Sequence, residues 1–438
     1  FLPFNRKITS IFLIGLTLFA SCSKNDTPVT PPSTVATIAS VTGPTGLTSG
    51  PKNTIITITG TNFITNLAQI QVKVNGKICT VLSATATTIT AQIPPACGTG
   101  IVELFLNGTR YAGPVFNFVY SYTVISINNG QTGYLDGPVS TAKIEEIVGI
   151  TIDANDNIYT AQYNYPRVRK FTRDSLVGTM AGDGTMGAVN GNGTSAKLGF
   201  ADFVSSDAAG NVYLAEDYNG TSTVYIRKID VNKNVTYFAS SPYGLQGIKV
   251  MPSGNIYIHG FNRIGKVSPA GVITWLIVSN GSGDLDGAAG TAKFKLYGNI
   301  EVSTDETKIY VTDMYNGQAS GGKIKLYDVT ANTITTIAGK TGLSDGDGPA
   351  LNVGFTWLSC LLLDNTGGLY IADRGSNKIK YLKNGNVTTY LGFAGGGDVD
   401  GDISTAKISL PHGIVFDSRG NMYISCYVNN KLKKVIID

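Results

Sequence analysis

The chain has 438 residues, of which 42% are hydrophobic and only 15% are charged. This length exceeds one ordinary hydrophobic core and predicts two or three domains. The net charge is only +4, and no long run of Lys or Arg occurs, so the composition excludes a nucleic-acid-binding protein. The 53 Gly and 22 Tyr residues, with many Val, Ile and Thr, favour an all-β fold with many tight turns.

Residues 1–21 predict a lipoprotein signal peptide. A basic start precedes the apolar run 11–19, which is too short to span a bilayer, and small residues follow that run. Residues 18–22, Leu-Phe-Ala-Ser-Cys, resemble the lipobox of bacterial lipoproteins. The resemblance implies that Cys22 is acylated. An ordinary signal peptide with an incidental Cys is the alternative.

The polar, proline-rich residues 22–35 have nothing to bury and predict a tether between the lipid and the first domain. The membrane is therefore a predicted partner, reached through the lipid on Cys22. The predicted location is the cell envelope, with the chain lipid-anchored in the outer membrane of a Gram-negative bacterium.

Residues 36–121 predict a small β-sandwich. Short alternating strands are separated by Gly, Pro and Asn turns, and Asn75–Gly76 is a strong hairpin signal. The segments 58–63, 74–76, 93–95 and 116–120 resemble the IPT/TIG immunoglobulin-like domain. The resemblance implies a spacer or a platform for other modules.

Cys79 and Cys97 both lie in this predicted sandwich. A disulfide between them would suit an exported protein. Two free thiols in a β-sheet core fit the same positions equally well, because spacing along the chain fixes no disulfide geometry.

Residues 122–438 contain six copies of a unit of four short strands. Each second strand carries a Tyr, at intervals of about fifty residues that suit the four-stranded blades of a propeller. These tyrosines are Tyr159, Tyr213, Tyr257, Tyr310, Tyr370 and Tyr423. The repeat resembles the NHL family, which implies an NHL-type propeller. The predicted fold is all-β, an immunoglobulin-like β-sandwich followed by a six-bladed β-propeller.

The sixth copy ends after its third strand, at the end of the chain. Residues 123–127 have strand composition and supply the missing fourth strand. We therefore expect them to pair with residues 432–435, which closes the ring and removes exposed sheet edges.

The loops between second and third strands predict a ligand-binding surface. Their aromatic rings can stack on sugar faces while neighbouring Asn amides bond to hydroxyls, so the predicted partner is a glycan or an envelope protein. In the alternative interpretation the Asn residues brace the turns and the rings cover the hydrophobic base of the loops. The predicted ligand-binding residues are Tyr163, Tyr165, Tyr218, Phe261, Tyr315 and Tyr427.

The loops that lead into each blade are rich in Asp and Gly, as at 283–287, 344–348 and 397–402. Closely spaced carboxylates can bind Ca²⁺, which prefers oxygen ligands. Turn chemistry explains the same residues, and no complete calcium loop with a distal Glu is present. The pattern therefore favours structural turns over a calcium site.

Catalysis has weaker support in the sequence than binding. The chain has two histidines, His259 and His412, which is one fewer than a three-histidine metal site requires. Cys360 and Cys426 would need a particular geometry to act as nucleophiles. We therefore assign no catalytic or metal-binding residue. The favoured function is a membrane-anchored extracytoplasmic binding protein, and the alternative is a metal-assisted propeller lyase or hydrolase.

Overall fold

The computed structural model describes residues 35–216, 223–281, 283–314, 321–342, 345–393 and 395–437. The predicted signal peptide, Cys22 and nearly all of the tether lie outside the described residues. The chain divides into two compact units, one ending at Asn117 and the other beginning at Phe118. Within the described ranges, no helix has the length and apolar character needed to cross a membrane.

The first unit is a β-sandwich. Strand β5 pairs with β6 on one side and with β4 on the other, so it belongs to both layers, β1-β3-β6-β5 and β5-β4-β7-β8. A 3-10 turn, Leu67–Gln69, precedes β4. The strands are β1 Thr37–Thr42, β2 Ser49–Gly50, β3 Ile55–Thr61, β4 Ile70–Val74, β5 Lys77–Ala84, β6 Thr88–Gln92, β7 Gly100–Leu106 and β8 Thr109–Phe118.

The predicted hairpin turn joins β4 to β5. Asn75 and Gly76 have φ angles of 49° and 74°, the left-handed values that a two-residue hairpin turn requires at both central positions. Cys79 and Cys97 are free thiols buried in this unit, so the structure contains no disulfide between them. Burial raises the pKa of Cys79 to about 12 and also raises the pKa of Cys97.

The second unit is a six-bladed propeller, and β9 Tyr122–Ser126 is its first strand. Blade 1 comprises β10 Gly137–Pro138, β11 Ile147–Ile152, β12 Ile158–Gln162, β13 Arg167–Phe171 and β14 Leu176–Ala181. Blade 2 comprises β15 Gly191–Asn192, β16 Val204–Ser206, β17 Val212–Glu216, β18 Val224–Ile229 and β19 Asn234–Ser241. Blade 3 comprises β20 Gly247–Val250, β21 Ile256–Gly260, β22 Arg263–Val267 and β23 Ile273–Val278.

Blade 4 comprises β24 Gly287–Ala288, β25 Leu296–Val302, β26 Lys308–Asp313, β27 Lys323–Asp328 and β28 Thr333–Ala338. Blade 5 comprises β29 Gly348–Pro349, β30 Leu358–Leu363, β31 Leu369–Asp373, β32 Lys378–Lys383 and β33 Asn386–Leu391. Blade 6 comprises β34 Gly401–Asp402, β35 Pro411–Phe416, β36 Met422–Cys426, β37 Lys431–Ile437 and β9. Three 3-10 turns complete the unit, Gly193–Ser195, Ala350–Asn352 and Arg374–Ser376.

The predicted closure of the ring is confirmed. Strand β9 pairs antiparallel with β37, and Ser126 lies opposite Lys433 while Ile125 lies opposite Lys434. The first strand of this unit therefore completes its last blade. The innermost strands β11, β16, β20, β25, β30 and β35 contact one another in a closed circle.

Hydrophobic wedges fill the space between neighbouring blades. Each of the six buried clusters of the propeller draws side chains from two adjacent blades. The repeated Tyr of the second strand lies in these wedges: Tyr159, Tyr213 and Tyr257 are buried members, and Tyr310, Tyr370 and Tyr423 pack against the clusters from half-buried positions. The regular Tyr spacing thus reflects packing between blades.

Sequence patterns did not reveal a short fifth strand at the outer edge of five blades. Strands β10, β15, β24 and β29 each pair with the fourth strand of their own blade, and β34 pairs with β9. The Asp-Gly loops contain these two-residue strands, whose length gives no periodicity to detect. Blade 3 consists of four strands alone.

Candidate functional site

The two faces of the propeller carry different loops. Because adjacent strands of a blade are antiparallel, the loops joining strands two and three open on the same face as the loops that lead into each blade. We call this side the mouth face. The sequence predicts a ligand-binding surface on this side.

A pocket of about 110 Å³ lies where the central channel opens on the mouth face. Residues that immediately precede or begin the first strand of five different blades contribute to it, and the end of a second strand in blade 5 adds a guanidinium. We call these residues the mouth: Asp202, Phe203, Gln246, Tyr297, Trp357, Arg374 and His412.

Arg374 is the cationic group of the mouth. Its guanidinium carbon lies 4.3 Å from the Trp357 ring centre and 4.8 Å from that of Tyr427. The buried Asp373 fixes this arrangement, because its carboxylate accepts a hydrogen bond of 3.0 Å from the Trp357 backbone N–H. The Arg374 N–H in turn donates to the Trp357 carbonyl at 2.8 Å. Burial lowers the pKa of Arg374, while Tyr427 and Asp202 oppose this shift.

Asp202 supplies the negative charge of the mouth. Burial raises its pKa to about 6, and the attraction of Arg374 opposes that rise. The carboxyl therefore titrates close to physiological pH, and it can accept hydrogen bonds when ionised or donate one when protonated.

His412 contributes a buried imidazole to the mouth, stacked on Phe203 with 5.1 Å between ring centres. Burial and the nearby Arg374 lower its pKa to about 3, so the ring is neutral at physiological pH. The ring bonds to the backbone of Val148, and its Nδ1 atom has no hydrogen-bond partner among the described residues. A neutral imidazole has one donor and one acceptor nitrogen, so Nδ1 can form a hydrogen bond with a ligand hydroxyl in either tautomer.

The predicted aromatic residues occupy several different places. Tyr427 contacts Arg374, and Phe261 contacts the mouth residue Tyr297 with 5.1 Å between ring centres. Tyr163 stacks on Phe200 at 4.9 Å and, like Tyr427, covers the wedge between blades 1 and 2. Tyr427 and Phe261 therefore contact mouth residues, and none of these three rings lines the pocket.

The other three predicted rings are Tyr165, Tyr218 and Tyr315. Tyr165 packs against Tyr134 of its own blade at 5.3 Å and is 44% exposed. Tyr218 and Tyr315 lie outside the described residues. The interpretation in which rings cover the base of the loops therefore fits Tyr163 and Tyr165 best.

The sequence patterns miss Trp357, Arg374, Asp202 and Gln246. Three of these residues, Asp202, Gln246 and Trp357, lie just before the first strand of a blade, so what they share is their position in the repeat. The residue type at this position changes from blade to blade, so no sequence motif marks it.

Three of the side chains considered for catalysis, His259, Cys360 and Cys426, are packing residues. His259 is fully buried, and its Nε2 bonds to the Gly298 carbonyl at 2.9 Å. Cys360 and Cys426 are buried, and burial raises the pKa of each thiol to about 12, which disfavours the reactive thiolate. Across the part of the chain that the structure describes, no three His, Cys, Asp or Glu side chains form a group able to hold a metal ion.

The Asp-Gly loops bind lysine side chains. In blade 4 the buried Lys325 Nζ lies 2.9 Å from an Asp284 oxygen and 2.7 Å from an Asp286 oxygen. Lys380 bonds to Asp345 and Asp347 in the same way, and Lys433 bonds to Asp398 and Asp400. We call each such group a lysine latch. An ammonium group thus occupies the position between two carboxylates that a calcium ion would take in the calcium-binding interpretation of these loops.

Residues 36–122 match the IPT/TIG domain. A protein of unknown function from Bacteroides thetaiotaomicron superposes with a TM-score of 0.65 and 16% identity, covering 93% of this chain and 99% of that structure. An auxiliary nutrient binding protein from Bacteroides ovatus superposes with a TM-score of 0.61 and 18% identity, covering 92% of this chain and 98% of that structure.

The chain is also 23% identical over 349 residues to the chloroplastic protein SUPPRESSOR OF QUENCHING 1 of Arabidopsis thaliana. The alignment covers 76% of this chain and spans 29% of the length of that relative. The chain therefore combines an IPT/TIG domain with a six-bladed β-propeller, in the fold of the two Bacteroides structures.

Proposed function

We propose that this protein is a binding protein of the bacterial cell envelope, and that the mouth binds the terminal sugar of a glycan. The observation that carries the proposal is the mouth pocket, which is lined by aromatic rings and by the buried His412, whose Nδ1 has no hydrogen-bond partner among the described residues. A buried polar atom without a hydrogen-bond partner is costly, and a ligand hydroxyl would satisfy it.

The remaining mouth residues complement a sugar. Arg374 and Gln246 supply hydrogen-bond donors, and Asp202 supplies an acceptor. The rings of Trp357 and Tyr297 supply flat apolar faces for the C–H side of a pyranose. A pocket of about 110 Å³ suits the terminal sugar of a glycan better than it suits a flat protein surface. The shared fold with a Bacteroides nutrient binding protein is consistent with a binding role.

Glycan-array screening of the purified protein, followed by calorimetric titration of the best ligand, tests this function. Trp357→Ala removes a central ring of the mouth and should weaken binding at least tenfold, as expected for a buried aromatic contact. Tyr165→Ala is the matched control, because this exposed ring lies outside the pocket. A protein that binds no glycan, or equal losses in the two variants, would refute the proposal.

We also propose that a lipid on Cys22 holds the protein at the membrane. Support comes from the lipobox resemblance and the polar tether that follows it. Cys22→Ala should abolish incorporation of labelled palmitate and move the protein from the membrane fraction to the soluble fraction. Unchanged membrane association of this variant would contradict an anchor at Cys22.

A further inference from the structure

A second cleft opens between blades 1 and 2 on the face opposite the mouth. Its volume of about 500 Å³ falls within the range of sites that hold small molecules. The loops joining strands one and two and those joining strands three and four border it. Its lining includes Tyr159, Lys170, Gly178, Met180, Val231 and Lys233.

A missing side chain at Gly178 accounts for the space in this cleft. Gly178 lies opposite Lys170 on the neighbouring strand, and a Cβ atom added to it would meet no other atom within 4 Å. The same register position in every other blade carries a branched side chain. These residues are Thr236, Thr274, Thr335, Thr388 and Ile125. The cleft is therefore particular to blade 1.

Two ammonium groups border the cleft without a carboxylate partner among the described residues. Lys170 Nζ lies over the Tyr159 ring at 5.4 Å, and Lys233 Nζ bonds to the Thr179 carbonyl at 3.1 Å. The residues equivalent to Lys170 in blades 3 and 6, Lys266 and Lys434, instead pair with acids at 3.2 and 3.5 Å.

Asp153 is the carboxylate in the cleft lining, and its own hydrogen bonds occupy it. It accepts from the backbone N–H groups of Asn155 and Asn157 and from the Tyr159 hydroxyl, each at 2.9 Å. Two ammonium groups therefore border the cleft, and the carboxylate in its lining already accepts several hydrogen bonds. The cleft attracts an anion.

The walls of the cleft are largely apolar. Met180 and Val177 are buried at its base, while Leu176 and Val231 remain 48% and 58% exposed at its edge. A ligand that covered these two side chains would remove apolar surface from water, at about 25 cal/mol per Å².

We propose that this cleft binds an amphipathic anion, an acyl chain whose carboxylate pairs with Lys170 and Lys233 and whose hydrocarbon lies against Met180, Leu176 and Val231. This site is independent of the mouth and of the glycan proposal. The ion pair and the apolar contact can be tested separately.

Calorimetric titration of the full protein with octanoate, and with 1-octanol as the neutral match, tests the site. Octanoate should bind, and Gly178→Thr should reduce its affinity at least tenfold, because the added side chain fills the space as in the other blades. This variant should fold, since threonine suits a strand and its Cβ atom would meet no other atom within 4 Å.

The double variant Lys170→Met and Lys233→Met should weaken octanoate binding about tenfold through lost charge-assisted bonds, and leave octanol binding within about twofold. Lys228→Met, at the position of Lys170 in blade 2, is the control and should change neither. Absence of octanoate binding at millimolar concentration, or a Gly178→Thr protein that binds it normally, would overturn the proposal. Equal losses for octanoate and octanol in the lysine variant would exclude the ion pair.

Discussion

Blades 3 and 4 are neighbours with similar backbones, but they hold their outer strands in different ways. Blade 4 has the buried Lys325 on its third strand, bonded to Asp284 and Asp286 of the preceding loop. The register places Gly265 at the same position in blade 3. The Trp275 ring lies over this glycine, and the Arg263 guanidinium lies 3.4 Å from the Tyr243 ring centre.

In five blades the buried cation on the third strand has an acidic partner, and in blades 1, 4, 5 and 6 that partner lies in the loop leading into the blade. Blades 5 and 6 carry complete lysine latches, and blade 1 pairs Arg169 with Asp136 at 2.7 Å. In blade 2, Arg227 pairs with Glu216 at 2.6 Å and bonds to Asn190 of the preceding loop. The cation half of this unit is costly without its acidic half, because an unpaired buried charge is expensive. Blade 3 replaces the whole unit with aromatic packing.

The largest expected effect comes from removing the cation of one latch. Lys325→Met removes the charge that pairs with Asp284, Asp286 and, at 3.6 Å, the buried Asp313, and should lower the free energy of unfolding by about 3–5 kcal/mol. Both tryptophans of the chain lie in the propeller, so denaturation followed by tryptophan fluorescence reports on this unit. Adding Asp284→Asn and Asp286→Asn should recover part of the loss. A triple variant less stable than Lys325→Met would contradict coupling of the two halves.

A smaller loss of stability is expected from disturbing the aromatic packing of blade 3. A Cβ atom at Gly265 would lie 2.7 Å from the Trp275 ring, so Gly265→Ala should cost about 1–3 kcal/mol through overpacking. Gly178→Ala is the matched control in open space and should change stability by less than about 0.5 kcal/mol. Equal unfolding midpoints for the two variants would show that Trp275 does not depend on the glycine.

The fourth strand makes a weaker contribution to the latch. Thr336 Oγ1 donates to Asp286 at 2.9 Å and accepts from Lys325 at 3.0 Å. Thr336→Val should therefore cost about 1 kcal/mol in the same denaturation assay, the usual value for side-chain hydrogen bonds. Thr335→Val, one residue earlier on the same strand, provides the comparison. A greater loss in Thr335→Val would argue against the bond.

The smallest effect is the pH dependence of one latch carboxylate. Burial opposes ionisation of Asp286, but Lys325 and Thr336 lower its pKa below the usual value near 3.8. The carboxylate therefore contributes stability above about pH 4, and this contribution is lost as pH falls through the lowered pKa. The side chain is 41% exposed, so solvent screening limits the contribution to at most about 1 kcal/mol.

Asp286→Asn should accordingly be less stable than the wild type at pH 7, and the gap should narrow as the pH falls below about 4. Thermal unfolding of both proteins between pH 3 and pH 7 measures that gap. A gap that is constant over this range would show that the carboxylate charge has no part in the latch.

Local sequence signals predict much of the fold. The Asn75–Gly76 turn lies between β4 and β5, and six agreeing repeats predict six blades. These features depend on neighbouring residues and on the repeat period of the strands, and both can be read from the sequence. Closure through β9 was also predictable, because an incomplete last repeat has one missing strand.

The candidate site was less predictable. Trp357, Arg374 and His412 come from separate positions in the chain, and only the ring of blades brings them to one pocket. The predicted rings of Tyr163 and Tyr165 have the same residue type as the mouth residue Tyr297, but they pack against Phe200 and Tyr134 of other loops.

By itself, the sequence determined the strand pattern, the number of blades and the pairing of the two ends of the propeller, because each follows from local periodicity. Tertiary structure alone decided that Lys325 fills the acidic loop, that Gly178 leaves a cleft and that the buried His412 lies beside a pocket with no partner for its Nδ1 atom among the described residues. These outcomes depend on distances between residues far apart in the chain and on exclusion of water, which residue type and spacing do not specify.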